Sequence, residues 1–316
     1  MASTFRYYEG DGKPLSVRGL KSPAYQNLLN YNEPSGYIAD SGLRNAVNVA
    51  LVLGQPLLVT GEPGTGKTQL AGSIAHELEL DSPLIFHTKT TSSARDLFYR
   101  YDALRHFHDA NVIKKDMELK VSDYISYEAL GLAIRRAMPG SQNRRRSVVL
   151  VDEVDKAPRD FPNDILNEIE DFSFTVFETG DVFKAEESLR PIVLLTSNSE
   201  KNLPDAFLRR CVFYNIPAPG HKQLLEIVKN RLDVATDFAP LVEPLIKHFE
   251  EIRELALKKK PATAELLAWL AVLNRLHTNG ELPRGTGEAL AFTYSILAKN
   301  KEDSQQMETL AAKLKL

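Results

Sequence analysis

LLVTGEPGTGKTQL, residues 57–70, is the stretch from which the fold can be read. Leu57, Leu58, Val59 and Thr60 form a short apolar run that reads as a strand. Gly61 to Thr68 then match G-x-x-x-x-G-K-[ST] in full. From Gln69 onward, Leu70, Ala71, Ile74, Ala75 and Leu78 fall on one face of a helix. A glycine-rich turn between a strand and a helix lets successive N–H groups converge on the oxygens of a polyphosphate. The expected binding set is Glu62, Pro63, Gly64, Thr65, Gly66, Lys67, Thr68 and Gln69. Lys67 is placed to reach the β- and γ-phosphates and Thr68 to hold Mg²⁺, so a nucleoside triphosphate is the expected ligand.

Working outward, further apolar runs recur at Leu84–Phe86, Val148–Val151, Ile192–Leu195 and Val212–Tyr214, separated by helical or irregular stretches. Continuous apolar strands interleaved with helices predict an α/β fold with a parallel sheet covered on both faces. Ahead of the phosphate loop, a helix capped by Asp40 or Ser41 is expected, with Leu43, Ala46, Val47, Ala50 and Leu51 at helical spacing. Residues 1–36, punctuated by glycine and proline, read as an irregular arm, and 37–219 as the α/β core. Beyond Pro217, Pro219 and Gly220 no strand-like run follows, and 220–316 read as an all-helical domain.

The chain has 316 residues, 43% hydrophobic and 26% charged, with a net charge of −3. That balance implies no global pull toward nucleic acid or an anionic membrane. A single cysteine, Cys211, excludes an internal disulfide and reads as a small apolar residue at a strand start. The absence of a long apolar run or a signal peptide leads us to expect a cytoplasmic protein with no membrane association.

A second cluster lies at Val148–Glu153, where four apolar residues run into Asp-Glu. A buried strand ending in Asp152 delivers a carboxylate to the carboxyl edge of the sheet, where α/β folds bind ligands. Asp152 is suited to hold Mg²⁺ through its water shell, and Glu153 to orient and deprotonate an attacking water. Asn198, in Thr196-Ser197-Asn198, ends the next strand and is placed either to sense the γ-phosphate or to serve the turn. Arg209 and Arg210 close a short helical segment. They could complement that helix's C-terminus or be offered across a subunit interface to the γ-phosphate.

In sequence and relative position, GEPGTGKT, VVLVDEVDKA, the TSN strand end and LPDAFLRRC resemble the AAA+ ATPases. GYIADSGLRNAVNVALVLGQPLLVTGEPGTGKT, DLFYRYDALRHFHDA and DEVDKAPRDFPNDILNEIED resemble the MoxR branch more narrowly. The resemblance spans roughly residues 36–280. It implies a P-loop NTPase core with a five-stranded parallel sheet, followed by a helical lid, and a homo-oligomer, usually a hexameric ring with each nucleotide between subunits. It also implies the cofactors ATP and Mg²⁺, with Lys67 and Thr68 in the Walker A motif, Asp152 and Glu153 in Walker B, and Asn198 as sensor 1. Arg210 falls at the arginine finger and Arg209 beside it, while Tyr37 and Ile38 resemble the segment lining the adenine pocket. The lid helix beginning at Lys260 carries no arginine where a sensor 2 is expected, and Arg284 is the later alternative. Proteins of this branch remodel other proteins in a chaperone-like way, often with a partner bearing a von Willebrand factor A domain.

Other features read blandly. Arg144–Arg146 is a short basic run of the kind found in solvated loops, which makes nucleic acid an unfavoured partner. His106 and His108 lack a second pair of ligands for zinc. Phe98–Tyr101 and Phe107 suggest the packing of an inserted hairpin or helix, or a ring-pore or partner surface, ahead of base stacking. Phe174–Phe177 with Val182–Phe183 read as a β-hairpin, which the resemblance to the MoxR branch implies would grip a protein client. The leading expectation is an ATP-driven remodelling motor. A nucleic-acid motor or loader, a nucleotide-controlled scaffold and a small-molecule kinase are the alternatives.

Overall fold

A computed structural model describes residues 7–8, 10–18, 33–112, 119–199, 203–280, 282 and 287–311. Contacts divide the chain into two compact units, Ala39–Pro217 and a second made of Met1–Ile38 with Ala218–Leu316.

In the first unit the elements run α1 (Ser41–Leu53), β1 (Leu57–Gly61), α2 (Lys67–Glu77), β2 (Leu84–His87), β3 (Tyr99–Tyr101), α3 (Ala103–Val112), β4 (Ile125–Tyr127) and α4 (Ala129–Arg136). They continue as β5 (Val148–Asp152), α5 (Phe161–Asp164), α6 (Leu166–Asp171), β6 (Ser173–Thr175), β7 (Val182–Lys184), β8 (Ile192–Thr196), α7 (Asp205–Leu208) and β9 (Val212–Ile216). Five of these strands form a parallel sheet in the order β2-β5-β8-β1-β9. This is the expected P-loop AAA+ architecture.

Central and edge strands differ as their sequences dictate. β1 is buried at every position, and β5 and β8 at all but one. Their unbroken apolar runs suit a sheet covered on both faces. β9, with sheet neighbours on one side only, alternates exposed and covered residues. Each fully buried Leu or Val contributes about 1.5–3 kcal/mol. The strand that carries the phosphate loop is therefore among the most firmly held elements of the unit. At α1, Asp40 is the cap: its carboxylate accepts from the Gly42 and Leu43 N–H groups at 2.7 and 3.0 Å and from Tyr214 Oη at 2.6 Å.

Two antiparallel ribbons, β3–β4 and β6–β7, stand apart from the main sheet. Phe174 joins them, with its ring 5.1 Å from both Phe98 and Phe183. The Arg135 guanidinium lies 3.8 Å over the Tyr127 ring. Gly131 of α4 meets the Phe98 carbonyl so closely that a Cβ there would lie 1.9 Å from its oxygen. The β6–β7 hairpin is shorter than its sequence suggests. Phe177 lies beyond the paired residues, is 80% exposed, and gives its N–H to Tyr99 Oη at 3.1 Å.

The second unit contains α8 (His221–Arg231), α9 (Ala239–Glu254), α10 (Thr263–Thr278) and α11 (Lys301–Ala311), with no strand among its described residues. Trp269 is fully buried and donates to Thr293 Oγ1 at 2.7 Å. Arg231 reaches the Glu33 carbonyl at 2.8 Å, so residues 33–36 of the N-terminal arm lie against α8. No helix among the described residues is long and apolar enough to cross a membrane.

Candidate functional site

Strand pairing alone assembles the site. Leu195 pairs with Val151 and Thr196 with Val59, while His87 pairs with Asp152. The carboxyl ends of β2, β5, β8 and β1 therefore present His87, Asp152, Thr196 and the start of the phosphate loop along one edge.

The loop's backbone requires glycine at two critical points. Gly66, the N-cap of α2, sits at φ 88°, and Gly61 at φ 148° lies so near Ile216 that a Cβ would stand 2.8 Å from its carbonyl oxygen. No side chain caps α2. The partial positive charge of its first turn is thus left for whatever the loop encloses.

Lys67 is only 7% exposed and spends its three donors on Gly61 O (2.7 Å), Glu62 O (3.0 Å) and Asn198 Oδ1 (3.0 Å). Burial pushes its amine down from the ordinary value, while Asp155, Asp152 and Glu153 pull it back up. Asp152 accepts through Oδ1 from Thr196 Oγ1 at 2.6 Å and Thr68 Oγ1 at 3.2 Å, and its Oδ2 lies 3.5 Å from His87 Nδ1. A carboxylate beside a hydroxyl is a hard oxygen donor pair of the type Mg²⁺ takes, so these residues fit that ion.

Glu153 has a left-handed backbone, φ 58° and ψ 53°, a conformation that costs a residue with a Cβ about 1–2 kcal/mol. Its N–H is held by Thr196 Oγ1 at 2.9 Å. Lys156 Nζ bonds its Oε2, and Asn198 Nδ2 lies 3.5 Å from its Oε1. The Lys156 hydrogen bond, above all, holds the Glu153 carboxyl below its ordinary range against partial burial, with help from Asn198 and the Lys67 charge. Asn198 also gives its backbone N–H to Asp155 Oδ1 at 3.3 Å. The amide thus links the phosphate-loop lysine to the carboxylate of Glu153.

Lys67, Thr68, Asp152, Glu153 and Asn198 converge at this edge. Thr65 braces the loop by donating to Glu62 O at 2.9 Å, while Glu62, Pro63 and Gly64 are exposed along its rim, and Gln69 is half-buried in the first turn of α2. Arg209 and Arg210 lie elsewhere. Val212 pairs with Leu57, the first residue of β1, so the two exposed arginines stand at the amino edge of the sheet. Arg210 there lines a cavity of about 140 Å³ with Leu53, Pro56, Glu170 and Arg190. Tyr37 and Ile38 belong to the second unit, and Arg284 lies outside the described residues.

Three contributors went unread in the sequence. Thr196 sits between Asp152 and Glu153, Lys156 holds Glu153, and His87 faces Asp152. The signal for Thr196 and His87 is positional, since each ends an apolar strand that pairs with β5. The basic run is consumed within the chain: Arg144 pairs with Glu186, Arg145 with Asp81 at 2.6 Å, and Arg146 donates to Arg190 O at 2.7 Å. His106 lies against Tyr101 and Tyr124, and no group able to hold a metal through His, Cys, Asp and Glu occurs among the described residues. Cys211 is half-buried, and burial pushes its thiol up to about 12.

Residues 56–211 match the family model described as an AAA domain of the dynein-related subfamily. Among solved structures, one RuvB mutant from Thermotoga maritima aligns with TM-score 0.47 and 16% identity, covering 80% of this chain and 67% of that one. A second such mutant gives TM-score 0.47 and 16% identity over 85% and 72% of the two chains. No curated protein matches the chain. Residues 56–211 thus match an AAA domain model, and the five parallel strands with their glycine-rich phosphate loop, β9 lying just beyond that match, have the P-loop AAA+ fold.

Proposed function

We propose that this chain is a Mg²⁺-dependent ATP hydrolase of MoxR type, whose turnover drives remodelling of protein partners. The observation carrying this reading is the single hydrogen-bonded cluster formed by Lys67, Thr68, Asp152, Thr196, Glu153 and Asn198. Backbone N–H groups of the loop and α2 receive the phosphate oxygens, and Lys67 exchanges its loop carbonyls for the β- and γ-phosphates. Mg²⁺, when bound, neutralises charge developing on the phosphates; Thr68 and Asp152 are the residues that hold it. Glu153, kept ionised, accepts a proton from the attacking water, and Asn198 orients that water or the γ-phosphate.

Arg210 stands at the far edge of the sheet from Lys67, about 15 Å away along a five-residue strand. It therefore serves the site of a neighbouring subunit, which favours a ring, with a hexamer as the family expectation. Phe177, exposed beyond the β6–β7 hairpin, is the residue offered to a protein client. A von Willebrand factor A domain partner and a cytoplasmic setting complete the reading.

Glu153→Gln tests the chemistry. It should bind Mg-ATP as the parent does yet lose about 10²–10⁴-fold in turnover, the usual share of a general base. Unchanged phosphate release would remove Glu153 from that role, and a parent chain that fails to bind Mg-ATP would end the proposal.

A further inference from the structure

The helical unit buries a titratable group that plays no part in the proposed reaction. His248 of α9 is 1% exposed, and Trp269 of α10 and Tyr294 are fully buried beside it. Tyr294 follows directly on a 3₁₀ helix, Gly287–Thr293. The three rings form a triangle: the imidazole centre lies 6.0 Å from that of Tyr294 and 6.3 Å from that of Trp269, which are 6.1 Å apart. Within it His248 Nε2 is 2.5 Å from Tyr294 Oη. That one hydrogen bond ties α9 to the segment that follows α10.

Counting partners gives the bond its direction. With the Tyr294 O–H donating to Nε2, both atoms are satisfied and Nδ1 carries the ring's hydrogen. The other tautomer would orphan the tyrosine hydrogen as well as the Nδ1 lone pair. Nδ1 itself has no hydrogen-bond partner and lies 3.6 Å from Glu251 Oε2. A proton added at Nε2 turns that nitrogen from acceptor to donor. The Tyr294 hydrogen must then turn away, toward no acceptor among the described residues, while a charged ring sits in an apolar cage.

Little stands ready to offset that charge. Glu251 is 62% exposed, so water screens its carboxylate. His221 of α8 pairs at 2.8 Å with Glu250, two residues beyond His248 and so on another face of α9. Glu265 of α10 accepts from the Ala262 N–H at 3.1 Å and meets Lys299 at 3.8 Å. Asp303 of α11 accepts from the Lys258 and Lys259 N–H groups at 2.9 and 3.0 Å. Burial accordingly prevails, pushing the imidazole below its ordinary 6.5 against the pull of Glu251.

We propose that His248 and Tyr294 form an acid-sensitive latch in the helical unit: when His248 gains a proton, the link from α9 to the segment at Tyr294 opens and the packing around Trp269 loosens. The latch lies wholly within the helical unit and is independent of what the phosphate loop binds. The neutral ring favours the fold, so its stabilisation is complete above the unfolded value of 6.5 and is lost as pH falls from there toward the lower folded value.

Trp269 is the chain's only tryptophan, so its fluorescence follows this unit during urea unfolding of the full chain. From pH 7.5 to 5.5 the unfolding constant should rise about tenfold more in the parent than in His248→Gln, because the parent takes up one extra proton on unfolding. Glutamine keeps a polar group for Tyr294 and does not titrate. Glu251→Gln, at an exposed position, should leave the parent's acid loss undiminished. Should His248→Gln fail to fold, NMR titration of the parent decides: the His248 ring, recognised by its proximity to Trp269, should stay neutral well below pH 6.5. A difference under twofold between parent and His248→Gln, a smaller acid loss in Glu251→Gln, or a His248 ring that titrates at or above 6.5 would overturn the proposal.

Discussion

Thr196→Val removes one oxygen atom and little else. Thr196 is fully buried at the end of β8, and valine keeps its shape and its preference for a strand. Two hydrogen bonds disappear: the 2.6 Å donation to Asp152 and the 2.9 Å acceptance from the Glu153 N–H. A hydrogen bond to a charged acceptor is worth about 1.5–3 kcal/mol net and a neutral one about 0.5–1.5 kcal/mol. The unit should therefore lose about 2–4 kcal/mol. At about 2–4 °C per kcal/mol for a domain of this size, its unfolding midpoint should fall by about 5–15 °C. The same hydroxyl fixes the direction of Asp152 and restrains the left-handed turn at Glu153. If its charge-assisted bond is realised in the transition state, turnover should fall about 10- to 100-fold, at about 1.4 kcal/mol per decade. Phosphate release at saturating Mg-ATP, together with thermal unfolding, measures both effects. Nucleotide affinity should barely change, because the Lys67 contacts are untouched. Thr196→Ser should behave nearly as the parent. Turnover of Thr196→Val within twofold of the parent, at temperatures where both are folded, would refute the idea that the hydroxyl sets the geometry of the two carboxylates.

Lys156→Met should let the Glu153 carboxyl rise toward its ordinary value of 4.5, because the Lys156 hydrogen bond is the foremost cause of its depression. In the proposed role as base Glu153 must be ionised, so the acid limb of the turnover–pH profile should move to higher pH; an unmoved limb would count against the pair. The stability sign agrees: a lowered carboxyl stabilises the fold above its unfolded value, and that stabilisation is lost as pH falls through the folded value. The parent should accordingly lose more stability than Lys156→Met between pH 5 and the acid range, as about 4.5 is crossed. Gly131→Ala should destabilise the first unit by about 1–3 kcal/mol or more, the cost of forcing atoms into a filled space, since its Cβ would collide with the Phe98 carbonyl. Chemical denaturation checks this, and parent-like stability would mean that α4 shifts freely against the β3–β4 ribbon.

Contiguity decided what could be read from the chain itself. β1, β5 and β8 were legible because strands covered on both faces are apolar without interruption, and the loop from Gly61 to Thr68 because its function lies in consecutive backbone groups. Around Phe98–Tyr101 the chain announces an inserted hairpin or helix, but the three-residue strands β3 and β4 carry too little pattern to fix their pairing, and their ribbon is held by aromatic stacking between distant residues. Asp152 and Glu153 could be named from the strand that ends in them. Thr196 could not, since its role depends on the register of β8 against β5. Lys156 escaped notice because its reach to Glu153 depends on a left-handed backbone that no local sequence signal announces. Arg209 and Arg210 left two readings open. Their place at the amino edge of β9, away from the phosphate loop, comes from strand pairing alone.

The left-handed turn at Glu153 also has an evolutionary corollary. Asparagine or glycine would sit there with less strain, so selection for fold stability alone would discard glutamate by about 1 kcal/mol. Under the proposed role of Glu153, this position should drift early and in a foreseeable direction in a lineage released from nucleotide hydrolysis. Retention of the acid in any descendant is then a sign that the reaction is still under use.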